Sequence, residues 1–99
     1  MLLAVLGLSA CGEVSNTFEV RVHDRAATRA ELRLCGLEVP LARAGNRFAS
    51  VARSACEGEG EILVFFSDRP PVSCRIGYVT LGAAQGFRFV VKDGTCQSV

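Results

Sequence analysis

The 99-residue chain predicts an all-β domain, a two-sheet β-sandwich of about seven short strands tied by two disulfides. Three observations predict it. Apolar and polar residues alternate in short runs, the period of half-buried strands. Gly, Pro, Asn and Asp clusters separate those runs at regular intervals, as turns require. No stretch carries a convincing helical period. Four cysteines are distributed through the same region, at Cys35, Cys56, Cys74 and Cys96. A small β-barrel is the alternative architecture.

From Thr17 the alternation is strict, with Phe18, Val20 and Val22 on one face and Thr17, Glu19, Arg21 and His23 on the other. The next segment carries two patterns. Arg25, Arg29 and Arg33 are four apart, as on a helix face, and the alanines between them favour helix. Ala30, Leu32 and Leu34, however, alternate with Arg29, Glu31 and Arg33. A helix would place Leu32 and Leu34 on different faces, so strand is the better reading. Cys35-Gly36 predicts a bulge or tight turn, after which Leu37, Val39 and Leu41 alternate out of register. Pro40 lacks an amide proton and confines its segment to a sheet edge.

Ala44-Gly45-Asn46 marks a turn, and a strand follows from Arg47 to Ser54 with Phe48 facing the core. Cys56-Glu57-Gly58-Glu59-Gly60 is too glycine-rich for a strand interior and is read as a loop. Glu61 to Phe66 is the most apolar run after residue 11, with Ile62, Val64 and Phe66 on one face and Leu63 and Phe65 on the other. It predicts a central strand. Ser67-Asp68-Arg69-Pro70-Pro71 ends that strand, because two prolines cannot continue a ladder. A strand over Cys74 to Leu81 places Ile76, Tyr78 and Thr80 on one face. The last strand, Gly86 to Lys92, faces Phe87, Phe89 and Val91 one way, and Cys96 staples the chain end.

Residues 1–10 have a different composition: Met1 to Ala10 are apolar or small, and the first charge is Glu13. Leu2 to Ala10, nine apolar or small residues, are too few to span a bilayer, which takes about 20, but they suit the apolar core of a signal peptide. The stretch Leu8-Ser9-Ala10-Cys11 resembles the lipobox of bacterial lipoproteins, in which Leu and two small residues precede the acylated cysteine. That resemblance implies a signal peptide over 1–10, lipid attachment at Cys11, a short flexible tether over 11–16 and one β domain over 17–99. It also implies a cell-envelope location, anchored in a membrane. Because Gly12 rather than Asp follows the cysteine, the enteric rule favours the outer membrane, facing the periplasm. The domain itself loosely resembles the immunoglobulin-like and transthyretin-like domains of exported bacterial proteins, a likeness of periodicity that transfers no functional residue.

With Cys11 set apart, an even number of cysteines in a small exported domain reads as a disulfide framework. Three pairings are possible. Joining sequence neighbours, Cys35 with Cys56 and Cys74 with Cys96, closes loops of similar length worth roughly 3 kcal/mol each. Spacings of 21, 18 and 22 residues are unlike the close pairs of a zinc site, so no metal or other cofactor is expected.

Charge excludes one partner class. Basic and acidic residues number 11 and 10 and are interleaved, so no continuous basic track for nucleic acid exists. No catalytic residue is assigned. His23 is the only histidine; a triad through Asp24 would need Ser50, Ser54, Ser67 or Ser73 beside it, and no nucleophile-elbow motif is present. Glu57, Glu59 and Glu61 are too few for a calcium site and are read as acids that keep an edge soluble. The expected activity is therefore interaction or envelope structure, not turnover, with a protein partner in the envelope. Two candidate surfaces follow. The stiff loop around Arg69, Pro70 and Pro71, with Arg69 at its tip, suits insertion into a partner's cleft, as in small periplasmic inhibitors of lysozymes or proteases. Leu63 and Phe65 would form an apolar patch if uncovered, unless the Arg25–Arg33 segment or the chain end lies over them.

Overall fold

The computed structural model describes residues 15–53, 57–80 and 82–99. The expected signal peptide over 1–10, Cys11, residues 12–14 of the expected tether, Ser54, Cys56 and Leu81 lie outside the described residues. The described residues form nine strands: β1 Ser15–Val22, β2 Ala27–Leu34, β3 Leu37–Pro40, β4 Ala42–Ala44, β5 Arg47–Arg53, β6 Gly58–Phe66, β7 Val72–Val79, β8 Gly86–Lys92 and β9 Thr95–Ser98. They form two sheets, one ordered β4-β5-β1-β8-β9 and the other β3-β2-β6-β7. The sheets pack face to face without closing into a barrel. All neighbours are antiparallel except β1 and β8, which run parallel with Thr17 opposite Gly86 and Val22 opposite Val91.

The sandwich follows from period-two burial. Phe18, Val20 and Val22 of β1 turn inward, as do Ala30 and Leu32 of β2, Phe48 of β5, Ile62 and Val64 of β6, and Phe89 and Val91 of β8. Arg29, Glu31 and Arg33 stand on the outer side of β2, so alternation prevails over the four-residue arginine spacing. Phe18 also stacks on Phe87, with ring centroids 5.3 Å apart. As expected, β3 with its Pro40 is an edge and β6 is interior to its sheet.

Two strands beyond the expected seven have physical causes. Pro40 ends β3, and Leu41 then drops into the core while its amide donates to the Ala30 carbonyl. The chain thereby crosses from one sheet to the other and resumes as β4. At the other end, Cys96 lies within a short strand paired with β8.

Three expectations need correction. The glycine-rich segment is not a loop throughout: β6 starts at Gly58, and Gly60 pairs with Leu34 of β2, where a Cβ would come within 2.8 Å of the Arg33 carbonyl oxygen. Tyr78 does not share a face with Ile76. A register shift between Gly60 and Glu61 and the positive φ of Gly77 (85°) form a bulge, which turns Val79 inward and leaves Tyr78 exposed. The first strand also begins before the expected Thr17, since Ser15 and Asn16 belong to β1. Asn16 is 1% exposed, and its Oδ1 accepts the Gln85 amide at 2.8 Å. Gln85 in turn accepts the Thr17 amide through its carbonyl and the Thr80 amide through its side chain. This network pins the end of β7 and the start of β8 to the start of β1.

At Cys35-Gly36 both residues have positive φ (54° and 78°), and Leu34 pairs with Leu37. That is the two-residue hairpin turn whose twist matches its strands. Cys35 is disulfide-bonded. A second disulfide joins Cys74 of β7 to Cys96 of β9, with Cα atoms 5.4 Å apart. This is the neighbour pairing for those two cysteines, and it links the edge strands of the two sheets.

Two predictions follow from this framework. Replacing both members of the β7–β9 link (Cys74→Ala with Cys96→Ala) lowers unfolding free energy by about 3 kcal/mol, the chain-entropy value for a loop of this length, measured by urea titration. Asn16→Ala leaves the Gln85 amide without its buried acceptor and costs about 1–3 kcal/mol in the same assay.

Candidate interaction surface

Alternation along β6 sends Glu59, Glu61, Leu63 and Phe65 to the outer side of the four-stranded sheet, opposite the core. Leu63 lies between Glu31 of β2 and Ser73 of β7, and Phe65 lies beside Arg29. Both apolar side chains are half-buried. The Arg29 guanidinium rests 3.8 Å from the centre of the Phe65 ring, a cation–π contact. The Arg25–Arg33 segment thus covers part of the patch through Arg29, as the covered alternative anticipated.

Charges around this stripe neutralise one another. The two carboxylate oxygens of Glu31 accept from Arg29 at 3.0 Å and from Arg33 at 2.7 Å. Arg33 also reaches Glu38 at 3.8 Å, and Arg75 lies 3.7 Å from Glu59. Ser73 donates to Glu61 at 2.6 Å, and the Tyr78 hydroxyl donates to Glu57 at 2.9 Å. Glu57, Glu59 and Glu61 therefore each turn to a different partner. Among the described residues no cluster of acids, histidines and cysteines could hold a metal ion. Toward the Cys35–Gly36 turn lies a hollow of about 380 Å³ rimmed by Arg33, Leu37, Glu38, Glu59 and Arg75.

The second candidate, the β6–β7 loop, is not built as expected. Arg69 does not project from a tip. Its guanidinium pairs with Asp24 at 2.8 Å and with Asp68 at 2.9 Å, and lies 4.8 Å from the centre of the Phe66 ring. Together with the Ser67 amide donating to the Ala26 carbonyl, these contacts fasten the loop to the β1–β2 turn. Charge attraction and ring stacking hold the cation down. The loop offers exposed Pro70 and Pro71 to a partner, and no free cation.

The same contacts settle what Asp24 does. One oxygen accepts the Ala26 amide at 2.9 Å and the other holds Arg69, so neither orients His23. His23 is exposed at the rim of a hollow of about 530 Å³ between the β1–β2 and β4–β5 turns. Arg43 crosses this region, donating to the carbonyls of Ala27 and Gly45. Ser73 is on the outer face with Glu61, and Ser54 lies outside the described residues.

Leu37 and Tyr78, both expected within alternating sets, are exposed. Leu37 is the first residue after the two-residue turn, at the end of an edge strand. Tyr78 was misassigned by the bulge at Gly77. No family model, curated protein or solved structure matches the chain.

The ion pairs give the domain an acid limb of stability. The hydrogen bond from Arg47 holds the Glu19 carboxyl below its ordinary 4.5, with a second from Arg21. The hydrogen bond from Arg33 does the same for Glu31, and that from Arg69 for Asp68 below its ordinary 3.8. Each folded-state value lies below the unfolded one. The stabilisation is therefore complete above the unfolded value and disappears as pH falls through the folded one. Urea midpoints are expected to be level near neutrality and to decline below a pH of about 4.5, the ordinary carboxylate range. Glu31→Gln flattens part of that decline; an identical acid limb in the variant would refute the assignment.

Proposed function

We propose that the chain is a lipid-anchored cell-envelope protein, cut before Cys11 and acylated there, whose work is binding rather than turnover. The observation that carries the reading is the apolar leader ending in Leu8-Ser9-Ala10-Cys11, directly ahead of a disulfide-linked β domain that starts at Ser15. Disulfides belong to oxidising compartments, and the lipobox resemblance supplies both the address and the anchor. An outer-membrane position facing the periplasm is the finer form of this proposal, drawn from Gly12.

For the binding surface, the outer side of the β3-β2-β6-β7 sheet supports the reading best. Leu63 and Phe65 form a half-buried apolar stripe, and charge pairs already satisfied within the chain surround it. A partner covering the stripe removes apolar area from water without stranding an unpaired charge. The β6–β7 loop is the weaker surface, since Arg69 is bound within the fold.

Two measurements test the proposal. Intact mass of the protein extracted from membranes is expected to show a chain beginning at Cys11 and carrying acyl groups. Met1-initiated protein with an unmodified Cys11 would overturn the anchor. A photocrosslinking amino acid in place of Leu63 is expected to give defined adducts with envelope proteins, and one in place of Val51, on the other sheet, few. Equal yields at the two positions would remove the outer face as the binding surface.

A further inference from the structure

Among the described residues the large apolar side chains most open to solvent are Leu37, Val51, Tyr78 and Val99. Three of them lie toward the end of the sandwich where the chain enters. Val51 pairs with Thr17, two residues from the start of β1. Leu37 follows the β2–β3 turn, and Tyr78 pairs with Glu59 near the end of β7. The Asn16–Gln85–Thr80 hydrogen bonds bring the end of β7 beside the start of β1, so both sheets contribute to one end of the molecule. Leu37 is 65% and Tyr78 56% exposed.

We infer that this end rests on the bilayer surface, with Leu37 and Tyr78 entering the headgroup region of a zwitterionic phospholipid membrane. The inference rests on the lipid-anchor reading and adds an orientation to it. Four residue steps separate Cys11 from Ser15, at most about 14 Å of extended chain. A cysteine acylated in the bilayer therefore keeps the β1 entry within reach of the headgroups. Contact is then intramolecular, and side chains too weak to bind a membrane alone suffice once tethered.

The chemistry of the end fits that occupant. Tyr78 pairs an apolar ring with a hydroxyl held by Glu57 at 2.9 Å, the amphipathic form favoured at membrane interfaces. Leu37 supplies a purely apolar contact. Acids outnumber bases around them, Glu38, Glu57 and Glu59 against Arg33 and Arg75, which favours a zwitterionic over an anionic surface. Seated in this way, the domain turns the β1–β2 turn and the Arg69 loop away from the membrane. These lie at the opposite end of the strands and are joined to each other by the Arg69–Asp24 pair.

Tyr78 is the only tyrosine and the chain has no tryptophan, so intrinsic fluorescence reports on this position alone. The mature protein, extracted from membranes, is reconstituted into vesicles of phosphatidylcholine and phosphatidylethanolamine with plain or brominated acyl chains. Brominated lipid is expected to quench the emission about twofold for a ring seated at the headgroup/acyl boundary, and Leu37→Ser to remove at least half of that quenching. Phosphatidylglycerol in place of the ethanolamine lipid is expected to weaken it. Equal emission in plain and brominated vesicles, from protein whose mass shows acylated Cys11, overturns the docking while leaving the anchor intact. An unacylated Cys11 overturns the anchor, and the docking with it.

Discussion

A domain this small has little room between its sheets, and its stability depends on keeping those sheets in register at their edges. The Cys74–Cys96 bond does this covalently, joining β7 at the edge of one sheet to β9 at the edge of the other. Sheet edges are where a sandwich is most open to water and to pairing with foreign strands. Cys74 is itself part of the core, next to Ile76 and Val79, so the link continues the packing. On the opposite side the same task falls to Leu41, which crosses between the sheets and plugs the gap as it does so. One side is sewn by a disulfide and the other by the chain itself.

The architecture was legible wherever it depended on period two. Faces of β1, β2, β6 and β8 follow from alternation because a one-residue slip would expose every apolar side chain in the strand. Pro40 announced an edge because it has no amide proton to donate. Other features depend on partners distant in sequence. Nothing local says that β1 lies beside β8, or that Arg69 will meet Asp24, 45 positions earlier. The bulge at Gly77 was invisible for a different reason: an extra residue inverts the alternation beyond it, and glycine offers no polarity to betray the change. Asn16 was open to a better reading. It shares parity with Phe18, Val20 and Val22, so extending that face backward places it inside, and an asparagine inside must find a hydrogen-bond partner.

The candidate surface was legible in its components and not in their state. Leu63 and Phe65 were identifiable as the second apolar set of a central strand. Arg29, Glu31 and Arg33 were readable as a solvated row on β2. What joins them is the antiparallel register of β2 and β6, which sets Arg29 against Phe65 and Glu31 against Leu63. Glu31 stands between two guanidinium groups and accepts a hydrogen bond from each. The charges of the outer face are consequently paired within the chain itself.

The parallel pairing of β1 with β8 also governs when the fold can form. β1 is flanked by β5 and β8, so the first strand of the domain gains its second neighbour only from residues 86–92. A chain emerging from its N-terminal end keeps Phe18, Val20 and Val22 uncovered on that side until nearly the whole sequence is available. Contacts of such separation make folding slow. A shortened chain lacking the last quarter would lose the neighbour of its central strand together with Cys96, and so both the sheet and its covalent clasp.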